Sequence, residues 1–147
     1  MSLKNKLMED LKTSMKNKDT IRKNTITMVR AAIKQIEVDE RKELTDEEII
    51  EIISKQLKEK RNVIGDFEKG GREDLVDLTN KEIDILLEYL PKQLTREEVE
   101  KIVSETIKEI NATSMKDIGL VMKAVMPKVK GKTDGNIVSS IVKDILN

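Results

Sequence analysis

The chain has 147 residues, with 28 Lys+Arg against 28 Asp+Glu, and so carries no formal net charge at pH 7. It contains no His, Cys or Trp, and its only aromatic rings are Phe67 and Tyr89. These absences exclude disulfides, zinc sites of the Cys/His kind, c-type haem, imidazole general bases and the Ser-His-Asp and Cys-His nucleophile pairs.

The order of apolar residues predicts an all-α protein. Ser2 can cap a first helix in which Leu3, Leu7, Leu11 and Met15 repeat every four positions. Asp19 can cap a second, with Ile26, Val29, Ile33 and Ile36 on one stripe. Thr45-Asp46-Glu47-Glu48 reads as a capping box, hydroxyl at the cap and carboxylate three residues on, opening a long third helix with Ile49, Ile50, Ile53, Leu57, Ile64 and Phe67. Gly70-Gly71 is expected to stop it, because Gly accepts the left-handed conformation at helix ends. Arg72 to Leu90 reads as a fourth helix, closed by Pro91. Thr95-Arg96-Glu97-Glu98 repeats the capping box before a fifth helix with Val99, Ile102, Val103 and Ile110. Ser114 or Asp117 can cap a sixth, striped by Met115, Ile118, Met122, Val125 and Met126 and closed by Pro127 and Gly131. A last helix runs from about Asp134 with Ile137, Val138, Ile141, Val142, Ile145 and Leu146. No segment alternates as a strand would.

The break at Pro91–Leu94 divides a four-helix segment, 1–91, from a three-helix bundle, 92–147; one continuous bundle is the alternative. No stretch approaches 18 uninterrupted apolar residues, so no membrane-spanning helix is expected. The opening residues lack the apolar run of a signal peptide, which leads to the expectation of a cytoplasmic protein. The first helix is basic and amphipathic, but a bundle needs its apolar face, so a membrane partner is not expected.

The zero charge is a sum of unlike parts. Residues 1–34 hold nine Lys/Arg against three acids, a net of +6; residues 35–90 hold nine against seventeen, a net of −8; residues 116–132 hold five Lys against Asp117, a net of +4. Asp46, Glu47, Glu48 and Glu51 resemble a Mg²⁺ cluster, but carboxylates in a first helical turn are accounted for by the helix dipole, and no metal is expected. Residues 65–72 have glycine spacing like a P-loop without its Lys-Ser/Thr or its preceding strand, so no nucleotide cofactor follows. Arg72, a cation at a helix N-terminus, is either functional or paired with Asp66 or Glu68.

The segment Pro127–Asn136 carries the clearest functional signal. Lys128, Lys130 and Lys132 alternate through a turn hinged at Gly131, while Lys116 and Lys123 share a face of the preceding helix. The following helix N-terminus offers N–H groups to an anion. Such a surface suits a phosphate backbone. With only two rings, both expected in cores, a stacking platform for single strands is excluded, leaving a folded RNA read by shape and phosphates.

Three stretches resemble the YqeY family, also called GatB/YqeY: Phe67-Glu68-Lys69-Gly70-Gly71-Arg72-Glu73-Asp74-Leu75, Glu88-Tyr89-Leu90-Pro91-Lys92-Gln93-Leu94, and Asp117-Ile118-Gly119 through Val121-Met122-Lys123 to Met126–Lys132. They fall in the family's order and span essentially the whole chain. The resemblance implies two helical domains, the second similar to the tail of GatB, the tRNA-handling subunit of a glutamine-dependent amidotransferase, with tRNA as the expected partner. Carried over, the tail motif falls on Gly119, Met122, Lys123, Lys130, Gly131 and Lys132, and Gly119 is expected to allow close helix packing. Thr133-Asp134-Gly135 stands where such tails often have Ala-Asn-Pro. The ATP-using body of GatB and the Ser-rich loop of its amidase partner have no counterpart here, so no catalytic residue is expected. Carbon–nitrogen ligase activity with glutamine as amido donor is implied only as an accessory role. RNA-contact candidates are Lys116, Lys123, Lys128, Lys130, Gly131 and Lys132. The alternative is a protein adaptor docking through Phe67, Gly70, Gly71, Arg72 and Asp74.

Overall fold

A computed structural model describes residues 2–147. It contains seven α-helices: α1 (Leu3–Lys16), α2 (Thr20–Glu40), α3 (Asp46–Lys69), α4 (Glu73–Leu87), α5 (Arg96–Ile110), α6 (Ile118–Val129) and α7 (Gly135–Leu146), with a 3-10 turn at Met115–Asp117 before α6. No strand occurs among the described residues. The chain is all-α, and it falls into two compact units that part between Leu90 and Pro91.

In the N-terminal unit, the stripe of α2 (Ile26, Val29, Ile33) meets Leu7 of α1, Ile49, Ile53 and Leu57 of α3, and Ile83, Ile85 and Leu86 of α4. Tyr89 completes this core, whereas Phe67 is half-buried and lies outside it. Leu3 and Leu11 of α1 pack at its edge, so the apolar face of the first helix is used by the bundle. Met15, expected on that face, is 56% exposed, because the buried stripe of α1 continues from Leu7 through Leu11 to Ser14, which is 2% exposed, instead. The charge segregation resolves into pairs between helices: Lys4 with Glu37 at 2.8 Å, Lys60 with Glu82 at 3.3 Å, and Arg22 with Glu88. Helix α4 ends at Leu87, not Leu90. Glu88, Tyr89 and Leu90 donate their N–H groups three residues back instead, to Ile85, Leu86 and Leu87. The tightening fits the bias against α conformation just before a proline.

The C-terminal unit is built around α5, α6 and α7, each packed against the other two. Its buried core is Val99, Val103, Val121, Val125, Val129, Val138, Ile141, Val142 and Leu146, seven valines among nine residues. The buried stripe of α6 is therefore Val121, Val125 and Val129, at i, i+4 and i+8. Met115 and Met126, expected on that stripe, are exposed. Pro127 was expected to close α6 but lies inside it. The ring removes one N–H, the donor to the Lys123 carbonyl, and the residue sits on the solvent face of the helix, two residues from its end. Both capping boxes form, with Thr45 and Glu48 bonded reciprocally at the start of α3 and Thr95 and Glu98 at the start of α5.

Candidate functional site

The basic turn after α6 is a defined structure, not a loose loop. Lys130 has φ −54° and ψ 125°, and Gly131 has φ 74°. With the Lys132 N–H donating to the Val129 carbonyl at 2.9 Å, residues 129–132 form a type II β-turn. Its third position requires φ > 0, which explains Gly131. Two further bonds hold the turn. The Leu94 N–H donates to the Lys132 carbonyl at 2.8 Å, and the Gln93 side-chain amide donates to the carbonyls of Gly131 at 2.8 Å and Pro91 at 3.0 Å. The stretch Pro91–Leu94 is thus the clamp of the lysine turn. Sequence reasoning assigned Gln93 no role, and no local signal could have done so, since its partner lies 38 residues away.

The five lysines do not act alike. Lys116, Lys123, Lys128 and Lys130 are exposed, and Lys132 is half-buried. Within α6, Gly119, Lys123, Met126 and Pro127 fall on one exposed face, with Leu120 beside them at 65% exposure. Lys128 points elsewhere. Its ammonium donates to Thr106 Oγ1 at 2.8 Å and to Glu109 at 2.9 Å, which ties α6 to α5. Gly119 was expected to permit close helix packing, but a Cβ built there meets nothing within 4 Å. It lies on the exposed face of α6, away from α5 and α7. The N-terminus of α7 is also filled, because the Asp134 carboxylate accepts the Asn136 N–H at 2.8 Å. The free anion site expected there is occupied by the chain's own acid, consistent with its preference for a helix start.

In the N-terminal unit, Phe67–Asp74 forms the α3–α4 corner. The Arg72 N–H donates to the Phe67 carbonyl at 2.9 Å and the Gly71 N–H to the Glu68 carbonyl at 3.1 Å, the two bonds of a Schellman motif. Gly71 takes the left-handed conformation, φ 69°, while Gly70 is right-handed at φ −80°. Arg72 pairs with neither Asp66 nor Glu68. Its guanidinium donates twice to Asp74, at 3.1 and 3.0 Å, and holds that carboxyl below the usual carboxylate range. The acids of the α3 start are likewise engaged in local structure. Asp46 accepts the Leu3 N–H at 3.1 Å, and Glu48, bonded by Lys42 and by the Thr45 N–H, is held low. No helix among the described residues is long and apolar enough to cross a membrane.

Comparison with known proteins places these features. The family model described as "Yqey-like protein" matches residues 4–146. "Altered inheritance of mitochondria protein 41, mitochondrial" of Kluyveromyces lactis is 34% identical over 131 residues, covering 86% of this chain and 69% of that protein. The protein of the same name in Pyrenophora tritici-repentis is 28% identical over 144 residues, covering 96% of this chain and 79% of its own. A glutamyl-tRNA(Gln) amidotransferase subunit of Aeropyrum pernix is 46% identical over 55 residues, covering 35% of this chain and 9% of that protein. The names of the longer relatives overturn one expectation. A cytoplasmic location, inferred from the opening residues, conflicts with relatives named as mitochondrial, and the missing apolar run carries no weight against them. The match over nearly the whole length, together with the order of the three motifs and the seven helices that carry them, means that the chain belongs to the YqeY-like family.

Proposed function

We propose that this protein is a tRNA-associated binding module, without catalysis of its own, whose contact surface is the exposed face of α6 and the lysine turn that follows it. The observation that carries this reading is the rigidity of that turn. Two carbonyls of the turn are bonded from Gln93 and Leu94, so Lys130 and Lys132 follow α6 on a fixed backbone, with exposed Lys123 on that helix and exposed Lys116 in the 3-10 turn before it. Pre-set cations lose little freedom on meeting a phosphate backbone. Gly119, with open space where a side chain would be, lets a partner approach the α6 backbone. The 46% identity over 55 residues to an amidotransferase subunit whose name contains glutamyl-tRNA(Gln) supports the choice of RNA. The adaptor reading of Phe67–Asp74 draws less support, because Gly71, Arg72 and Asp74 are accounted for by the corner they build.

The test is fluorescence anisotropy with labelled tRNA and a single-stranded RNA of equal length, at about 50 and 200 mM salt. The expected result is tighter binding of tRNA, lost steeply with salt. Lys123→Glu and Lys132→Glu should weaken it across all tRNAs, each lowering the salt slope by about one. Equal binding by wild type and by the variant with Lys116, Lys123 and Lys132 all reversed to Glu would refute the assignment.

A further inference from the structure

The N-terminal unit holds an open groove that neither the lysine turn nor the glycine corner explains. It measures about 460 Å³ and is lined by Lys6, Asp10 and Thr13 of α1, Arg22 of α2, and Glu88 and Tyr89 after α4. Lys6, Asp10 and Thr13, at i, i+4 and i+7, share one face of α1. Tyr89 is 5% exposed, and its hydroxyl donates to Asp10 Oδ2. Burial first, then this bond to a carboxylate, push the phenol well above its usual value, so it remains a donor. Arg22 is neutralised by two acids, Glu88 and, at 3.5 Å, Asp19.

Lys6 differs. Its ammonium lies 5.2 Å from the centroid of the Tyr89 ring and meets no carboxylate among the described residues, although Asp10 is one turn further along the helix. A lysine N-terminal to an acid is the weaker order for an i, i+4 pair. The remaining oxygen of Asp10 and the hydroxyl of Thr13 have no hydrogen-bond partner among the described residues. A buried phenol needs an acceptor, and that need accounts for Asp10. It does not account for a cation and an anion left side by side, unneutralised by each other, in a groove with a spare hydroxyl.

We propose that this groove binds a small zwitterion of the α-amino-acid class. Its carboxylate is held by the Lys6 ammonium and the Thr13 hydroxyl. Its ammonium is held by the free oxygen of Asp10. A ligand with one charge leaves half of the site unmet, so neither a plain anion nor a plain cation fits as well. The site lies in the N-terminal unit and is independent of the RNA surface.

Tyr89 is the only Tyr and the chain has no Trp, so intrinsic fluorescence reads this site directly. The full chain is titrated with glycine, L-leucine and L-glutamine, and with acetate and methylammonium as the two half-ligands. The expected result is a saturable change for at least one amino acid, with affinity about ten-fold or more above either half-ligand. Lys6→Gln, an exposed substitution that should leave the fold intact, should weaken it about ten-fold, and Thr13→Val should weaken it less. No saturable response below about 10 mM for any of the three amino acids overturns the proposal. So does acetate binding as tightly as the amino acids, and so does unchanged affinity in Lys6→Gln.

Discussion

Two glycines of the C-terminal unit should respond to the same substitution with opposite signs. Gly131 has φ 74° at the third position of the 129–132 turn, where an added Cβ costs about 1–2 kcal/mol. Restricting the unfolded chain returns about 0.4–1 kcal/mol of this. If the turn shifts, the bonds from Gln93 and Leu94, at 2.8 Å each, are also strained, at about 1 kcal/mol apiece. Gly131→Ala should therefore destabilise by about 1–3 kcal/mol. Gly119 is helical and exposed, and its added Cβ would meet nothing within 4 Å. Only helix propensity acts there, so Gly119→Ala should stabilise by about 0.5–1 kcal/mol. At about 2–4 °C per kcal/mol for a chain of this length, the two variants should separate by at least about 3 °C in the thermal transition followed by far-UV circular dichroism. The functional readout should run the other way at Gly119, where the more stable protein binds tRNA more weakly if a partner approaches the bare backbone. A Gly131→Ala protein that melts at or above wild type would show the turn assignment to be wrong, and a Gly119→Ala protein that melts below it would refute the open helical face.

Thr45→Ala should cost about 1 kcal/mol, because the Glu48 N–H loses its acceptor at the start of α3, and urea denaturation measures it. Gly65→Ala, in the exposed interior of α3 with nothing within 4 Å of the new Cβ, should stabilise by about 0.5–1 kcal/mol in the same assay. The acids Glu37, Glu48, Asp74 and Glu98 are all held below their usual values, by Lys4, Lys42, Arg72 and the Thr95 N–H respectively. Their contribution is complete above the unfolded Glu value of 4.5 and is lost as pH falls through the lower folded values. Thermal midpoints should thus be level down to about pH 5 and fall below it, and a midpoint rising on acidification would contradict the pairing. Because Lys128 is bonded to Thr106 and Glu109, Lys128→Gln should weaken tRNA binding less than Lys123→Gln, compared by anisotropy at fixed salt.

What the sequence displayed was the local physics. The capping boxes at Thr45 and Thr95 need residues three apart, and the buried stripe of α2 follows from a 3.6-residue period. The stop at Gly70-Gly71 needed one left-handed residue, and local spacing could not say which of the two supplies it. Where tertiary contact decided, the sequence was silent. Nothing near Arg72 distinguishes Asp74 from Asp66, and nothing near Lys128 announces Glu109 on another helix. Met126 looked like core by its place in the pattern, yet Val121 and Val129 take the centre while Met122 packs at the edge, because the face is chosen by what α5 and α7 offer. Pro127 reads as a stop until its position on the solvent side of α6 is known. For the candidate surface, the lysines themselves are visible in the sequence. The clamp that fixes their backbone is not, since Gln93 and Gly131 meet only after folding.

The valines of the C-terminal core have a consequence for how that small unit becomes unique. A valine in a helix already holds one χ1 rotamer about nine times in ten, so its side-chain entropy is spent when the helix forms. Docking α5, α6 and α7 then orders side chains that have little freedom left to lose, whereas a core of Leu or Met would still have rotamers to give up at that step. A bundle this short has few apolar groups to drive its assembly, and its composition keeps the opposing entropy low. Its interior methyls should therefore be as ordered as those of a much larger domain.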